Sequence, residues 1–183
     1  MKDYEAYDGG FRKKICLNGL WDFAPSSGAI TDLPESFDKV PIKVPSPYNI
    51  NAFMGSHFRR YAGNEEVYVQ GGDFRLYPEY PSRWENAKCG FYRRSFGLKK
   101  EPGRRYFLRF DAVAFHCFFY LNGVLLRETT EGFLPIEIEI TETANDGENV
   151  LLVACESAGY LTYKGKDGRN RLDFPRGSFF GEF

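Results

Sequence analysis

The chain has 183 residues and a hydrophobic fraction of 43%, so it is long enough to bury a substantial core and its length favours one domain. Its formal net charge of −1 at pH 7 gives no electrostatic basis for binding nucleic acid or an anionic membrane. No apolar run is long enough to span a membrane. Neither nucleic acid nor a membrane is therefore an expected partner.

The N-terminal part predicts a leader followed by two extended segments. Residues 1–12 are expected to form a loose leader, because they carry little that could be buried. The first strand is predicted over residues 14–23, and residues 25–38 are rich in turn formers. Residues 40–44 predict a short extended piece at a sheet edge, because Pro41 and Pro45 flank it and proline cannot donate a ladder hydrogen bond.

Residues 45–87 combine glycine, proline and tyrosine without sustained periodicity, apart from a short strand predicted at 67–70. Loops of this length are uncommon in compact domains and are usually functional or disordered. Their aromatic content argues against disorder. We expect an ordered excursion that covers an end of the fold or docks onto a neighbour. Tyr77, Tyr80 and Trp84 are candidate binding residues, although core packing is an equally good interpretation of these rings.

Residues 89–157 carry the regular strands. Ile136, Ile138 and Ile140 alternate with glutamates, which is the period of two typical of a half-buried strand. Asn122-Gly123 lies between two apolar runs and predicts a tight hairpin turn. Eight side chains are expected in the core: Leu108, Phe110, Phe119, Leu121, Ile136, Ile138, Leu151 and Val153. The aromatic side chains from Phe107 to Tyr120 are interpreted as core, and residues 160–171 as a polar loop.

The cysteines and histidines form no recognisable metal-binding or redox motif. The four cysteines, Cys16, Cys89, Cys117 and Cys155, form no CxxC motif, and Cys117 and Cys155 are expected to behave as small buried hydrophobic residues. A disulfide stays open as the alternative, although a domain of this size does not need one. His57 and His116 cannot form a metal site by themselves. Residues 145–149 predict a turn, with a structural calcium ion as the alternative. No cofactor or metal is expected.

Six strings follow one another along the chain: LNGLWDF (17–23), VPSP (44–47), CGFYRR (89–94), LRFDAV (108–113), LNG (121–123) and GENVLLV (147–153). Their order resembles the N-terminal sugar-binding domain of glycoside hydrolase family two, and the resemblance spans residues 15–183. The family contains β-galactosidases, β-glucuronidases and β-mannosidases. The resemblance implies an all-β fold: a jelly-roll β-sandwich, galactose-binding-domain-like.

The resemblance also implies that this domain is not catalytic. The catalytic glutamates of the family lie in a downstream TIM barrel, and no such repeating β/α pattern occurs in these residues. We expect residues 1–183 to be one sugar-binding domain, cut from a longer, β-galactosidase-like glycosidase and inactive alone. Its expected partners are carbohydrate and the catalytic barrel and other domains of the parent chain. The compartment stays open between the periplasm, the exterior and the cytoplasm of a bacterium.

Two residues near the C-terminus enter as sugar contacts through the resemblance. Asp173 is the nearest equivalent of an aspartate that contacts the sugar in β-galactosidases within a D-Q-D-x-W string, which is absent here. Arg176 follows in the same segment. A turn is the alternative interpretation of Asp173, which precedes Pro175.

Two further functions remain open from sequence. An autonomous carbohydrate-binding module would present a ring platform built from some of Tyr77, Tyr80 and Trp84. A purely structural interaction domain would expose an apolar patch where the barrel docks, and the isolated domain could then self-associate.

Overall fold

The computed structural model describes residues 12–48, 80–84, 87–113, 116–132, 134–156, 162–164 and 170–172. These ranges contain strands and one short 3-10 turn, Ser82–Trp84, but no α-helix. The strands are β1 (Gly19–Ser26), β2 (Ile42–Val44), β3 (Cys89–Leu98), β4 (Phe107–Phe110), β5 (His116–Leu121), β6 (Val124–Thr129), β7 (Ile136–Glu139), β8 (Gly147–Glu156), β9 (Thr162–Lys164) and β10 (Asn170–Leu172).

The main sheet has six strands in the order β2-β1-β3-β8-β5-β6, and every described pairing within it is antiparallel. Strands β4 and β7 pair with each other and pack across one face of this sheet, which we call the inner face. The rings of Phe110 on β4 and Phe119 on β5 lie 4.7 Å apart between centroids. The all-β, galactose-binding-like sandwich predicted from sequence is therefore confirmed.

All eight side chains that were expected in the core are buried. Strand β7 shows why the pattern was informative, since Ile136 and Ile138 are buried while the glutamates between and after them are exposed. Phe107 is a correction to the interpretation of 107–120 as core, because its side chain is 48% exposed. It points away from Leu108 on the alternating strand, and its ring lies under the guanidinium of Arg105.

The turn predicted at Asn122-Gly123 is confirmed, whereas the turn predicted at 145–149 was wrong for residues 147–149, which begin β8. Asn122 and Gly123 both have positive φ values, 52° and 81°, which the two-residue turn between β5 and β6 requires. The buried side chain of Asn149 on β8 fixes the chain that leads into this strand. Its amide oxygen accepts from the Asn145 N–H at 2.7 Å, and its amide nitrogen donates to the Asn145 carbonyl at 3.0 Å.

Several strand boundaries differ from the prediction. Strand β1 begins at Gly19 rather than at residue 14, and Gly19 has a φ of 131°, a conformation that favours glycine. Strand β2 lies at the sheet edge, as the flanking prolines predicted. The prediction of a loop over 160–171 was wrong, because β9 pairs with β10 there. Each of these strands has three residues, which is too short to show a period of two. The strand predicted at 67–70 lies outside the described residues.

The six-stranded sheet also buries apolar side chains on its outer face. The second cluster comprises Ala24, Ile30, Cys89, Phe91, Phe118, Tyr120 and Ala154. Burial on both faces explains why β3, β5 and β8 have long apolar runs instead of a simple alternation. In the part of the chain that the structure describes, no helix has the length and apolar character needed to cross a membrane.

Candidate functional site

Four aromatic rings meet where the chain leaves β2 and where it returns before β3. We call this group, Phe23, Tyr48, Tyr80 and Trp84, the aromatic anchor. Tyr80 stacks on Trp84 with ring centroids 5.1 Å apart, and Phe23 lies 4.4 Å from Trp84 and 5.3 Å from Tyr48. These spacings are those of favourable aromatic pairs, so the anchor joins residues 48 and 80 to strand β1.

The carboxylate of Asp38 provides the hydrogen-bond acceptor for the indole N–H of Trp84 in the anchor. It accepts this bond at 2.9 Å and two others from Arg83 Nη2 at 2.5 and 2.7 Å. Burial alone would raise the pKa of Asp38, but the bonds from Trp84, Arg83 and the Val40 N–H together lower it to about 2. Asp38 is therefore ionised at neutral pH and holds the 3-10 turn against the loop that follows β1.

The phenol of Tyr80 makes two further connections. Its hydroxyl donates to Ser46 Oγ at 3.0 Å and accepts from the Lys43 backbone N–H at 3.1 Å. Tyr48 in turn donates to the Ala87 carbonyl at 3.3 Å. Each ring thus combines apolar burial with a satisfied polar group, as a buried tyrosine requires.

Gly90 on β3 leaves the room that the anchor needs. A Cβ atom at this position would lie 2.6 Å from Phe23 Cε2 and 2.8 Å from Tyr48 Cδ1. Both distances are shorter than real side-chain contacts, so any other residue would displace the two rings.

The contacts of the anchor show that Tyr80 and Trp84, two of the predicted binding residues, are packing residues. The side chains of Tyr80 and Trp84 are 5% and 0% exposed, so they belong to the core and present no ring face to a ligand in this structure. Stacking on a sugar needs an accessible ring face. Of the two interpretations of Tyr80 and Trp84, core packing is therefore the one that the structure supports. Tyr77, Asp173 and Arg176 lie outside the described residues.

A group of charged side chains lies on the outer face, near one end of the six-stranded sheet. The imidazole of His116 contacts Glu156 through Nδ1 and Glu128 through Nε2, both at 2.9 Å. Lys88 lies 3.5 Å from the other Glu156 oxygen. Burial lowers the pKa of His116, but the bonds to Glu128 and Glu156 outweigh burial, so the pKa is raised. Sequence reasoning missed this cluster, because its members come from different strands and share no spacing.

The exposed glutamates of β7 are paired with arginines. Arg105 and Arg109 contact Glu139 and Glu137 respectively. The hydrogen bond from Arg105 and a second from Thr141 lower the pKa of Glu139 to about 2. No group of three or more His, Cys, Asp or Glu side chains is arranged to hold a metal ion within the described ranges.

The fold and core define an all-β domain of the galactose-binding class. A family model described as "Glycosyl hydrolase 2 galactose-binding domain-like" matches residues 76–173, more than half of the chain. The chain belongs to this family, as its sequence order predicted.

One curated relative and two solved structures are similar to this chain. The chain is 28% identical over 159 residues to a β-galactosidase of Lactococcus lactis subsp. lactis (strain IL1403), which covers 82% of this chain and 15% of the relative. A β-glucuronidase of Faecalibacterium prausnitzii is 26% identical with a TM-score of 0.53, covering 85% of this chain and 22% of that one. A β-glucuronidase from an uncultured Clostridium sp. shares the fold with a TM-score of 0.57 at 24% identity, covering 86% of this chain and 25% of that one.

Proposed function

We propose that this chain is the non-catalytic N-terminal sugar-binding domain of a family-two glycoside hydrolase. In this role it buttresses the catalytic barrel and shapes the entrance for carbohydrate. The supporting observation is family membership combined with size, because the chain spans 15% of the β-galactosidase and 25% and 22% of the two β-glucuronidases. Residues 1–183 act as one domain of a longer enzyme, with residues 1–12 as a leader.

The electrostatic state of Glu139 excludes this β7 carboxylate as the acid–base group of a glycosidase. A retaining glycosidase needs two carboxyl groups about 5–5.5 Å apart, one of which must hold a proton until it reaches the leaving group. Glu139 has a pKa of about 2 and is ionised at neutral pH, so it cannot supply that proton. Glu137 is exposed and paired with Arg109, which suits a solvated strand face.

The aromatic anchor supports a role in presenting the segment between residues 49 and 79. Residue 48 enters this segment and residue 80 leaves it, and both carry rings of the anchor. Rigid ends reduce the entropy that is lost when such a segment docks onto a neighbour. Contact of residues 49–79, which lie outside the described ranges, with the barrel or the rim of its active site is part of this proposal.

Carbohydrate contact is assigned to Tyr77, Asp173 and Arg176. Carboxylate and guanidinium groups bind sugar hydroxyls, and an accessible tyrosine ring can cover the apolar face of a pyranose. Because Tyr80 and Trp84 are committed to the anchor, they are not part of this contact. The burial of these two rings also leaves an autonomous binding module without most of its expected platform.

The decisive experiment compares the chain with the polypeptide from which it comes. The purified 183-residue chain should not hydrolyse chromogenic β-galactosides or β-glucuronides. The product of the complete reading frame should hydrolyse one of them, and its activity should fall at least about tenfold when residues 1–183 are deleted. Hydrolysis by the chain alone, or a reading frame confined to it, would contradict the proposal.

The sugar contact is tested separately. In the complete enzyme, Asp173→Ala, Arg176→Ala and Tyr77→Ala should raise KM, because they remove ground-state contacts to the sugar. Asp111→Ala is the matched control, since Asp111 is an exposed acid paired only with Arg109 among its described partners. If KM is unchanged in all three variants while deletion still abolishes activity, the domain is structural and the sugar contact is wrong.

A further inference from the structure

Two cysteine thiols face each other inside the sandwich. Cys117 on β5 and Cys155 on β8 are partners in the antiparallel register, and both side chains are fully buried. Their sulfur atoms lie 3.6 Å apart, and both residues are reduced. The two residues are 38 positions apart in sequence, so a bond between them would close a large loop.

The backbone hydrogen bonds between β5 and β8 show whether Cys117 and Cys155 form a hydrogen-bonded or a non-hydrogen-bonded pair. The Asn122 N–H donates to the Val150 carbonyl at 2.9 Å, one position beyond the Leu121–Leu151 pair. Hydrogen-bonded and non-hydrogen-bonded pairs alternate along an antiparallel ladder, so counting back from Asn122 makes Cys117 and Cys155 a non-hydrogen-bonded pair. The Cα atoms of such pairs are about 4.5 Å apart, which lies within the range that disulfides span. Closure therefore needs rotation of the sulfur atoms and little movement of the backbone.

We propose that Cys117 and Cys155 form an oxidisable site that a small peroxide converts into a disulfide across β5 and β8. One thiolate attacks an oxygen of hydrogen peroxide, the O–O bond breaks, and a sulfenic acid and hydroxide form. The second sulfur then attacks the sulfenic sulfur, the S–O bond breaks, and the S–S bond forms. The hydroxide and the leaving oxygen take up the thiol protons. The sum is two thiols and one peroxide giving one disulfide and two water molecules.

Position in the strands provides a route for the oxidant. Cys117 is the second residue of β5, and Cys155 is the last but one of β8. Strand ends open locally at lower free energy than the middle of a sheet, so a molecule as small as hydrogen peroxide can reach the pair without global unfolding. The adjacent contact between His116 and Glu156 holds this end of the sheet closed, and it therefore controls how often the pair is exposed.

The two other cysteines serve as internal references. Cys16 is exposed. Cys89 is buried on the outer face, where its thiol contacts the Ser26 and Gly28 carbonyls rather than another sulfur. Neither is in register with another cysteine, so neither should form an internal disulfide.

The test uses the 183-residue chain carrying Cys16→Ser, treated with hydrogen peroxide and then mapped by mass spectrometry without reduction. The expected product is lighter by two hydrogens and contains a peptide pair linked through Cys117 and Cys155. It should melt roughly 5–10 °C higher than the reduced protein, because the closed loop restricts the unfolded chain. Cys155→Ala should abolish the linked pair, and Cys89→Ala should leave it unchanged.

Two results would overturn the proposal. One is a protein in which Cys89 is oxidised while Cys117 and Cys155 remain thiols. The other is conversion of Cys117 or Cys155 to a sulfinic acid without any linked peptide. Both results are read from the chain that retains the native pair, so a variant that fails to fold does not obscure the answer.

Discussion

The imidazole Nδ1 of His116 lies 2.9 Å from Oε2 of Glu156, while its Nε2 lies at the same distance from Glu128. An imidazole can donate hydrogen bonds from both nitrogens only when it is protonated. The contact thus ties β5 to β8 and β6 through a positive ring between two acids. Lys88 is the other charged group against Glu156, and the ring of Phe118 packs beside the imidazole.

The first prediction is a loss of stability as the pH rises. The pKa of His116 is raised in the folded protein, so the folded state keeps its proton at a pH where the unfolded state has lost it. The contribution should be complete below the unfolded pKa of about 6.5 and should disappear as the pH passes through the higher folded pKa. Urea unfolding midpoints between about pH 5 and pH 9 measure it.

The control for this prediction is His116→Gln, which keeps a polar side chain but cannot titrate. The decline in this pH range should be absent in the variant. An identical decline in both proteins would mean that another group causes it.

The second prediction separates the two acids that contact His116. The side chain of Glu156 is 12% exposed and that of Glu128 is 56% exposed. Glu156→Gln should cost about 1–3 kcal/mol, because it leaves a partly buried imidazolium and Lys88 without their shared anion. Glu128→Gln should cost less than about 1 kcal/mol, since water screens an exposed pair. Equal losses in urea titrations at neutral pH would contradict the difference in burial.

Local pattern was enough to predict most of the sandwich. The alternation of Ile136 and Ile138 and the pair Asn122-Gly123 predicted a strand face and a turn that the structure contains. These features depend on neighbouring residues, which a sequence displays directly. The three-residue strands β9 and β10 were missed because their pairing depends on backbone hydrogen bonds between short segments.

The candidate site was less predictable, because its geometry depends on residues that are distant in sequence. Trp84 was equally suited to a ligand cleft or a core, and the decision rests on Phe23 and Asp38, which contact it from more than forty positions away. Asp38 lies in a turn-rich stretch and carries no local signal of its role. Pairings of this kind appear only when the strands are assembled.

The third prediction concerns Asp38. Asp38→Asn keeps an acceptor for the Trp84 indole but removes the charge that binds Arg83, and we expect a loss of about 1–3 kcal/mol in the free energy of unfolding. The pKa of about 2 has a second consequence: the stability that this group adds above its unfolded pKa, about 3.8, should be lost as the pH falls towards 2. Acid titrations followed by tryptophan fluorescence measure both effects.

Asp22→Asn is the matched control for Asp38→Asn. Asp22 also binds an arginine, Arg93, but both side chains are well exposed. Its replacement should change stability by less than about 1 kcal/mol. If the two variants are equally stable, the anchor does not depend on the Asp38 charge.

The fourth prediction tests the packing of the aromatic anchor through Gly90. Gly90→Ala places a methyl group 2.6 Å from Phe23 and 2.8 Å from Tyr48, and neither ring can move without disturbing Trp84 or the backbone near Ala87. Overpacking of this kind costs about 1–3 kcal/mol or more. Gly97→Ala is the control on the same strand, because nothing lies within 4 Å of the position that its methyl group would take. Urea denaturation of both variants should show a large loss only for Gly90→Ala, and similar midpoints would mean that the anchor yields easily and cannot hold residues 48 and 80 in place.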